Sequence, residues 1–288
     1  AVFQEKLGTQ FQRVERLVNL AREIGKALAL SPTEQEQAAR AAWLCKADLA
    51  TRMVFEFPEL QGYMGKQYLL AEGGDPAVAQ AIYEHYLPRG AGDDLPRTRP
   101  GIAVALADKL DTLAGYFSIG MIPTGSQDPF ALRRAAQGVV QTLVENGLRV
   151  DLAALASQAI EQYSLSGEEA LKTHGELMEF FRARLKVLLE QRAVRYDVID
   201  AVLAAGFRDV TDAVNRAEAL SAAIGEPEFA AVTGAFKRVA NLAGKANEAG
   251  AVSAEIDPEL FTEPAERDLY GAFVDLRPEM KRAYEAGD

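Results

Sequence analysis

Cysteine occurs once and histidine twice in 288 residues, and these scarcities remove whole classes of chemistry. Cys45 alone makes neither an internal disulfide nor a thiolate metal cluster, and a single thiol agrees with a reducing compartment. With His85 and His174 as its imidazoles, the chain offers no nucleophile paired with a nearby histidine. No GxxxxGK[ST] or GxGxxG run is present to cradle a phosphate. No apolar stretch approaches the length of a membrane span and no signal-peptide pattern opens the chain, so the cytoplasm is the expected location. Period-two alternation, internal repeats and low-complexity tracts are also missing. Positive charge is in deficit: 42 acidic against 31 basic residues give a net charge of −11. That argues against a protein that coats DNA or RNA, and leaves room for a local basic groove.

What is present reads as helix. Hydrophobic residues make up 49% and charged residues 25%, enough core for one large or two ordinary domains. Val14, Leu17, Val18, Ala21 and Ile24 recur at helical spacing. Ser31-Pro32-Thr33-Glu34 supplies a capping box, and its helix is expected to run to about Met53 before Phe57-Pro58 ends it. A short helix around Tyr68 and one launched by Asp75-Pro76 follow. Later helices are expected from Ile102, from Pro129 (capped by Asp128) to about Glu145, after Asp151, over Glu168–Arg195 and over Tyr196–Ala205. Another runs from Val210 until Gly225 stops it, and Glu226-Pro227 starts the next with Phe229, Val232, Phe236, Val239 and Leu242 facing inward. Asp257-Pro258 and Glu263-Pro264 are further starts. Ser164–Gly167 is the best break in the pattern. The fold class is therefore all-α, in two helical domains, residues 1–164 and 165–288.

The stretch from His85 to Arg134 is the most informative. A loop rich in glycine and proline carries Arg89, Arg97 and Arg99, an apolar helix carries Asp108, Lys109 and Asp111, and a second loop leads to paired Arg133 and Arg134. Guanidinium groups on two loops bracketing a buried helix suggest recognition of something anionic. The competing reading has them order the loops or pair with Asp93, Asp94 and Asp128. Further on, Arg182, Arg184, Lys186, Arg192 and Arg195 face only Glu179 and Glu190 on one long helix, followed by Tyr196, an aromatic suited to stacking on a base. Lys237, Arg238 and Asn241 lie about one turn apart on a later helix. A charge run of this kind is more often a solvated face.

EHYLPR, ALADKLDTLAGYFSIG and PTGSQDPFALRRAA resemble the bacterial two-subunit glycyl-tRNA synthetase beta subunit family. Matching stretches also occur upstream at Phe57–Gly62 and downstream at Tyr196–Val202, so the resemblance covers nearly the whole chain. Family members are much longer, which implies a later portion of the subunit. The start without methionine and the end inside the charged pattern Met280–Glu285 agree with that expectation.

The resemblance implies an HD-like helical domain over residues 1–164 and, over 165–288, an incomplete anticodon-binding domain of the helical kind shared with arginyl-tRNA synthetase. HD phosphohydrolases bind metal with histidines, a His-Asp pair and a later aspartate. Here the pair reads Ala47-Asp48 and no histidine precedes His85, so His85, Asp48 and Asp108 leave too few ligands. Asp48 and Asp108 are then expected to be held by hydrogen bonds or by Lys46 and Lys109, with no metal. The implied function is the tRNA-binding part of a glycine–tRNA ligase, with tRNA(Gly) and the alpha subunit as partners and neither DNA nor membrane. RNA contacts are expected from Arg89, Arg97, Arg99, Arg133, Arg134, Arg182, Lys186, Arg192, Arg195, Tyr196, Lys237, Arg238 and Asn241. No catalytic residue and no cofactor are expected in this chain, because ATP and Mg serve the complete enzyme on the alpha subunit. The alternatives are a surviving metal-dependent HD phosphohydrolase and a helical scaffold that binds only proteins.

Overall fold

Thr9 ends a small antiparallel ribbon, β1 (Val2–Gln4) against β2 (Gly8–Thr9), and caps the first helix in the same step. Its hydroxyl accepts from the Gln12 amide while the Gln12 side chain accepts from the Thr9 amide, satisfying two amides that a helix start leaves open. The computed structural model describes residues 2–248 and 256–286. Apart from the ribbon, these residues are helical or irregular, so the all-α expectation holds.

The chain forms two compact units, Ala1–Ile224 and Gly225–Asp288. The first contains α1 (Gln10–Ala27), α2 (Pro32–Leu44), α3 (Arg52–Glu56), α4 (Tyr63–Ala71), α5 (Pro76–Glu84), α6 (Arg99–Ser118), α7 (Leu132–Glu145), α8 (Leu152–Glu161), α9 (Gly167–Gln191), α10 (Tyr196–Ala204) and α11 (Val210–Ala223). Helix α6 is the axis of this unit. Residues 100–111 are buried without a break, and α1, α2, α5, α7, α8 and α9 pack around it. A helix apolar on every side belongs at a centre rather than a surface. Leu106, Leu110 and Leu113 are fully buried, each contributing about 1.5–3 kcal/mol relative to exposure. Helix α9 lays Leu177, Phe181, Leu185 and Leu189 into the same core, so the expected domain change at residue 165 falls inside the first unit.

Several element boundaries differ from the sequence expectation. Helix α2 stops at Leu44 instead of reaching Met53; a 3-10 turn over Ala47–Ala50 follows, and Thr51 caps α3 through the Val54 amide. The break carries Lys46 and Asp48 into the interior. Helix α7 starts at Leu132, not Pro129. Asp128 caps it from four residues away, its carboxylate accepting from the amides of Leu132 at 2.8 Å and Arg133 at 2.9 Å. Helix α6 begins at Arg99, three residues early, because Thr98 caps it and Pro100 sits in its first turn. Helix α9 ends at Gln191 because Ala193 adopts φ 57°, the left-handed region where helices stop.

The second unit holds α12 (Pro227–Glu248), a 3-10 turn over Pro258–Leu260, and α13 (Pro264–Ala286). Asp257-Pro258 thus starts a single turn rather than a full helix. The face of α12 expected to point inward is largely exposed, with Val232, Phe236, Val239 and Leu242 each at least 60% accessible. Periodicity predicts which side of a helix is apolar. It does not supply the element that covers that side, and the described residues offer none here.

Candidate functional site

Charged residues on a helix buried all round must find partners inside the fold. Asp108, Lys109 and Asp111 of α6 meet that demand. Asp108 Oδ1 lies 2.9 Å from Arg13 Nη2 and 3.0 Å from Lys46 Nζ. Asp111 takes Arg16 Nε at 2.6 Å and the Tyr163 hydroxyl at 2.9 Å, with Arg13 Nε 3.4 Å away. Arg13 and Arg16 are one turn apart on α1, as Asp108 and Asp111 are on α6, so two faces carry matched pairs. Lys109 points elsewhere, donating to the carbonyls of Leu87 at 2.6 Å and His85 at 3.4 Å. Gly138 of α7 makes room for it: a Cβ there would lie 2.9 Å from Lys109 Cε.

The protonation states follow from these contacts. Burial favours the neutral acid of Asp108, but the Lys46 ammonium and Arg13 guanidinium outweigh it and hold the carboxyl well below the usual carboxylate range. For Lys46 burial acts downward, and Asp108 more than restores the charged form. His85 falls well below its ordinary value, first through burial and then through Lys46. Lys46 has only hydrogens to offer, so at 2.9 Å it donates to Nε2 of a neutral His85, whose Nδ1–H donates to the Ile82 carbonyl. Burial also brings Lys109 down to about 8 and pushes the Cys45 thiol up to about 12, which leaves Cys45 without nucleophilic character.

The residues at the HD-type positions do not fit a metal ion. Lys46 Nζ sits between His85 Nε2 and Asp108 Oδ2, 2.9 and 3.1 Å away, where a cation bound by these two ligands would compete with an ammonium already in place. The face of Tyr86 lies 4.1 Å from the same ammonium. Asp48 belongs to a different contact set, its Oδ2 accepting from the amides of Gly62 at 2.7 Å and Gly65 at 3.1 Å. Ala47 lies exposed and brings no donor atom. Asp48 is therefore held by backbone amides and Asp108 by Lys46 and Arg13, while Lys109 has no ion pair with either. No group of three or more metal-ligating side chains occurs among the described residues.

The surface cations differ in how far the protein itself neutralises them. Arg89 pairs with Asp93 at 3.0 Å, Arg99 with Glu34 at 3.2 Å, and Arg195 with Asp197 at 2.6 Å. Arg192 is clamped between Glu145 at 2.6 Å and Glu218 at 2.8 Å. Arg182 and Lys186 are looser, 3.9 Å from Glu179 and 3.8 Å from Asp200. Arg133 orders its loop by donating to the carbonyls of Gly125 at 2.7 Å and Gln127 at 3.2 Å, and has no carboxylate partner among the described residues. Arg97 and Arg134 are exposed with no ion pair or hydrogen bond from the side chain among those residues, and so are Lys237, Arg238 and Asn241 of α12. Tyr196 is 76% exposed at the start of α10. Sequence reasoning gave no role to Arg13, Arg16 or Tyr163. The available signal was a pair of arginines at helical spacing inside the apolar stripe of Val14 and Leu17.

The sequence model of the family described as glycyl-tRNA synthetase beta subunit matches residues 1–204. The chain belongs to that family. It is 47% identical over 281 residues to the glycine–tRNA ligase beta subunit of Desulforudis audaxviator, covering 97% of this chain and 40% of the relative. It is 44% identical over 288 residues to the protein of that name in Geobacter sulfurreducens, covering 100% and 41%. The corresponding figures for Moorella thermoacetica are 45% over 291 residues, 100% and 41%. The chain thus spans about 40% of the length of the curated relatives it matches. The glycyl-tRNA synthetase beta subunit match takes in α1 to α10, and with them the buried Arg13–Asp108–Lys46 network and the cations of α7 and α9.

Proposed function

We propose that this chain is the tRNA-binding portion of a glycine–tRNA ligase beta subunit. It holds tRNA(Gly) so that the terminal adenosine reaches a catalytic centre on the alpha subunit, where ATP and Mg are used. The observation that carries this reading is the alignment of essentially the whole chain with proteins named glycine–tRNA ligase beta subunit. On this reading the HD-type ligand positions within residues 1–164 serve structure, and residues from 165 onward supply the anticodon-binding region, whose first helices, α9 to α11, share the core of the first compact unit. The physical role is proximity: binding energy from phosphates and bases positions the acceptor end without touching the reacting atoms. Exposed cations without acidic partners among the described residues, Arg97, Arg134, Lys237 and Arg238, suit that work in an otherwise acidic chain. No helix of the described residues is long and apolar enough to cross a membrane.

The test separates the two half-reactions of the complete alpha–beta enzyme. Changing Lys237 and Arg238 together to alanine should raise the KM for tRNA in aminoacylation by about tenfold at low salt. Glycine-dependent exchange of pyrophosphate into ATP, which needs no tRNA, should keep its wild-type rate. A variant that loses the exchange reaction equally would place amino-acid activation, not tRNA binding, under the control of this chain and overturn the reading.

A further inference from the structure

Arg184 carries a buried guanidinium N–H with no acceptor among the described residues. It lies half-buried on α9, against the ring of Phe180 at 5.5 Å. Its Nε is buried without a hydrogen-bond partner, and none of its N–H groups reaches a protein acceptor among the described residues. Burial, and next the like charge of Arg133, lower its pKa, with Asp128 acting in the opposite sense. Helices α7 and α9 pack on each other, so Arg133 and Arg184 stand on neighbouring elements. That carboxylate, Asp128, already accepts from the Leu132 and Arg133 amides. Arg134, next in sequence and about 100° further round α7, adds a third charge at the same end of the helix, exposed and without an acidic partner among the described residues. One turn along α7 from Arg133, Gln137 Nε2 is another buried donor with no acceptor. Unmet buried donors and an uncompensated positive charge of about two units, Asp128 included, call for an acceptor-only anion.

We propose that Arg133, Arg134 and Arg184, at the start of α7 and the middle of α9, form a phosphate site that takes a backbone phosphate of the bound tRNA. The proposal rests on the tRNA reading given above and makes it specific. Arg89, Arg99, Arg192 and Arg195 each hold a carboxylate within 3.2 Å, so a phosphate must first displace an anion that the protein supplies. At the α7–α9 site no such exchange is needed, and a planar fork matches two phosphate oxygens at once. Arg133 positions the site as well as charging it, because the same side chain ties down Gly125 and Gln127.

Binding of tRNA(Gly) to the complete alpha–beta enzyme, measured at 50 and 200 mM salt, tests the proposal. Arg184→Gln should weaken binding about threefold more at the lower salt than at the higher, the effect of one lost phosphate contact, and flatten the log–log salt slope by about 0.7–0.9. Combining it with Arg134→Gln should bring that ratio to about tenfold. Arg184→Lys, which keeps the charge and loses the fork, should recover most of the slope. Lys172→Gln, removing an exposed charge on the same helix, should leave the slope unchanged. If wild-type enzyme binds tRNA with a normal salt slope and Arg184→Gln shares it, this site is wrong while the tRNA reading stands. If wild-type enzyme shows no salt-dependent tRNA affinity, the reading itself falls. Inorganic phosphate at millimolar concentration should weaken tRNA binding to wild type more than to Arg184→Gln, because both anions then compete for one guanidinium fork. Phosphate that binds in an Arg184-dependent way without weakening tRNA binding would assign the site to a free phosphate and overturn the tRNA contact. Dissociation of the subunits by Arg184→Gln, with tRNA affinity per assembled enzyme unchanged, would identify an acidic protein surface as the anion and overturn it too.

Discussion

Lys46 shows most clearly how one side chain redirects a site. It lies at the end of α2, where helical periodicity alone extends the helix to Met53, and the structure turns the chain so that its ammonium reaches His85 and Asp108. Breaking a buried pair by removing one partner typically costs about 3–5 kcal/mol; Arg13 still faces Asp108, so Lys46→Met should cost about 3 kcal/mol. The double change Lys46→Met with Asp108→Asn should cost less than the sum of the single changes, measured by urea unfolding. Strict additivity would show that the two groups do not depend on each other. His85 gives a pH signature. In the fold it stays neutral, while in the unfolded chain it takes up a proton near its ordinary value of 6.5. Below that pH the unfolded state binds one proton more, so stability falls as pH drops from 7 to 5, at a slope approaching about 1.4 kcal/mol per unit. His85→Gln should flatten this window, and an unchanged slope in the variant would locate the pH dependence elsewhere. Asp108, depressed in the fold, adds loss of the same sign at more acid pH. The absence of a histidine at Ala47 was legible in the sequence. That Arg13 reaches an aspartate 95 positions away was not, because only the packing of α1 on α6 brings them together.

At the scale of elements, caps were the legible part. Thr9, Ser31, Asp75, Thr98, Asp151 and Ser166 each accept from an amide of the first turn that follows. Four of these starts, those after Ser31, Asp75 and Asp151 and the start near Glu168, stood out in the sequence by residue type and spacing. Replacing Ser166 by alanine, which breaks a capping box with Glu169, should cost about 1 kcal/mol in thermal or urea unfolding. Ends were less legible, since Ala29 and Ala193, just past α1 and α9, adopt left-handed conformations that alanine does not advertise. Ser164–Gly167 reads as a break, and in the structure Leu165 packs on the core while Tyr163 is tied to Asp111. The residues around Gly225 and Glu226 are exposed and lie where the compact units part. Limited proteolysis should therefore cut near Gly225 before Ser164–Gly167 and leave a stable helical product of the first unit. First cleavage between α8 and α9 would contradict the shared core.

The whole molecule carries a net charge of −11, yet the reading asks it to hold a polyanion. Both statements are compatible because net charge does not fix how charge is distributed: Asp93, Asp197 and the pair Glu145 and Glu218 neutralise Arg89, Arg195 and Arg192, while Arg97 and Arg134 have no acidic partner among the described residues. What remains is a few uncompensated groups, and binding that depends on few contacts is steeply sensitive to each of them. The sequence announced the cations but not their partners, so it could not separate Arg192 from Arg134. The most direct measurement is the affinity of tRNA(Gly) for the complete alpha–beta enzyme and for the alpha subunit alone, across 50 to 200 mM salt. The account predicts tight, salt-dependent binding by the complete enzyme and a loss of at least tenfold when the beta subunit is absent. Equal affinity and equal salt slope for the alpha subunit alone would contradict it.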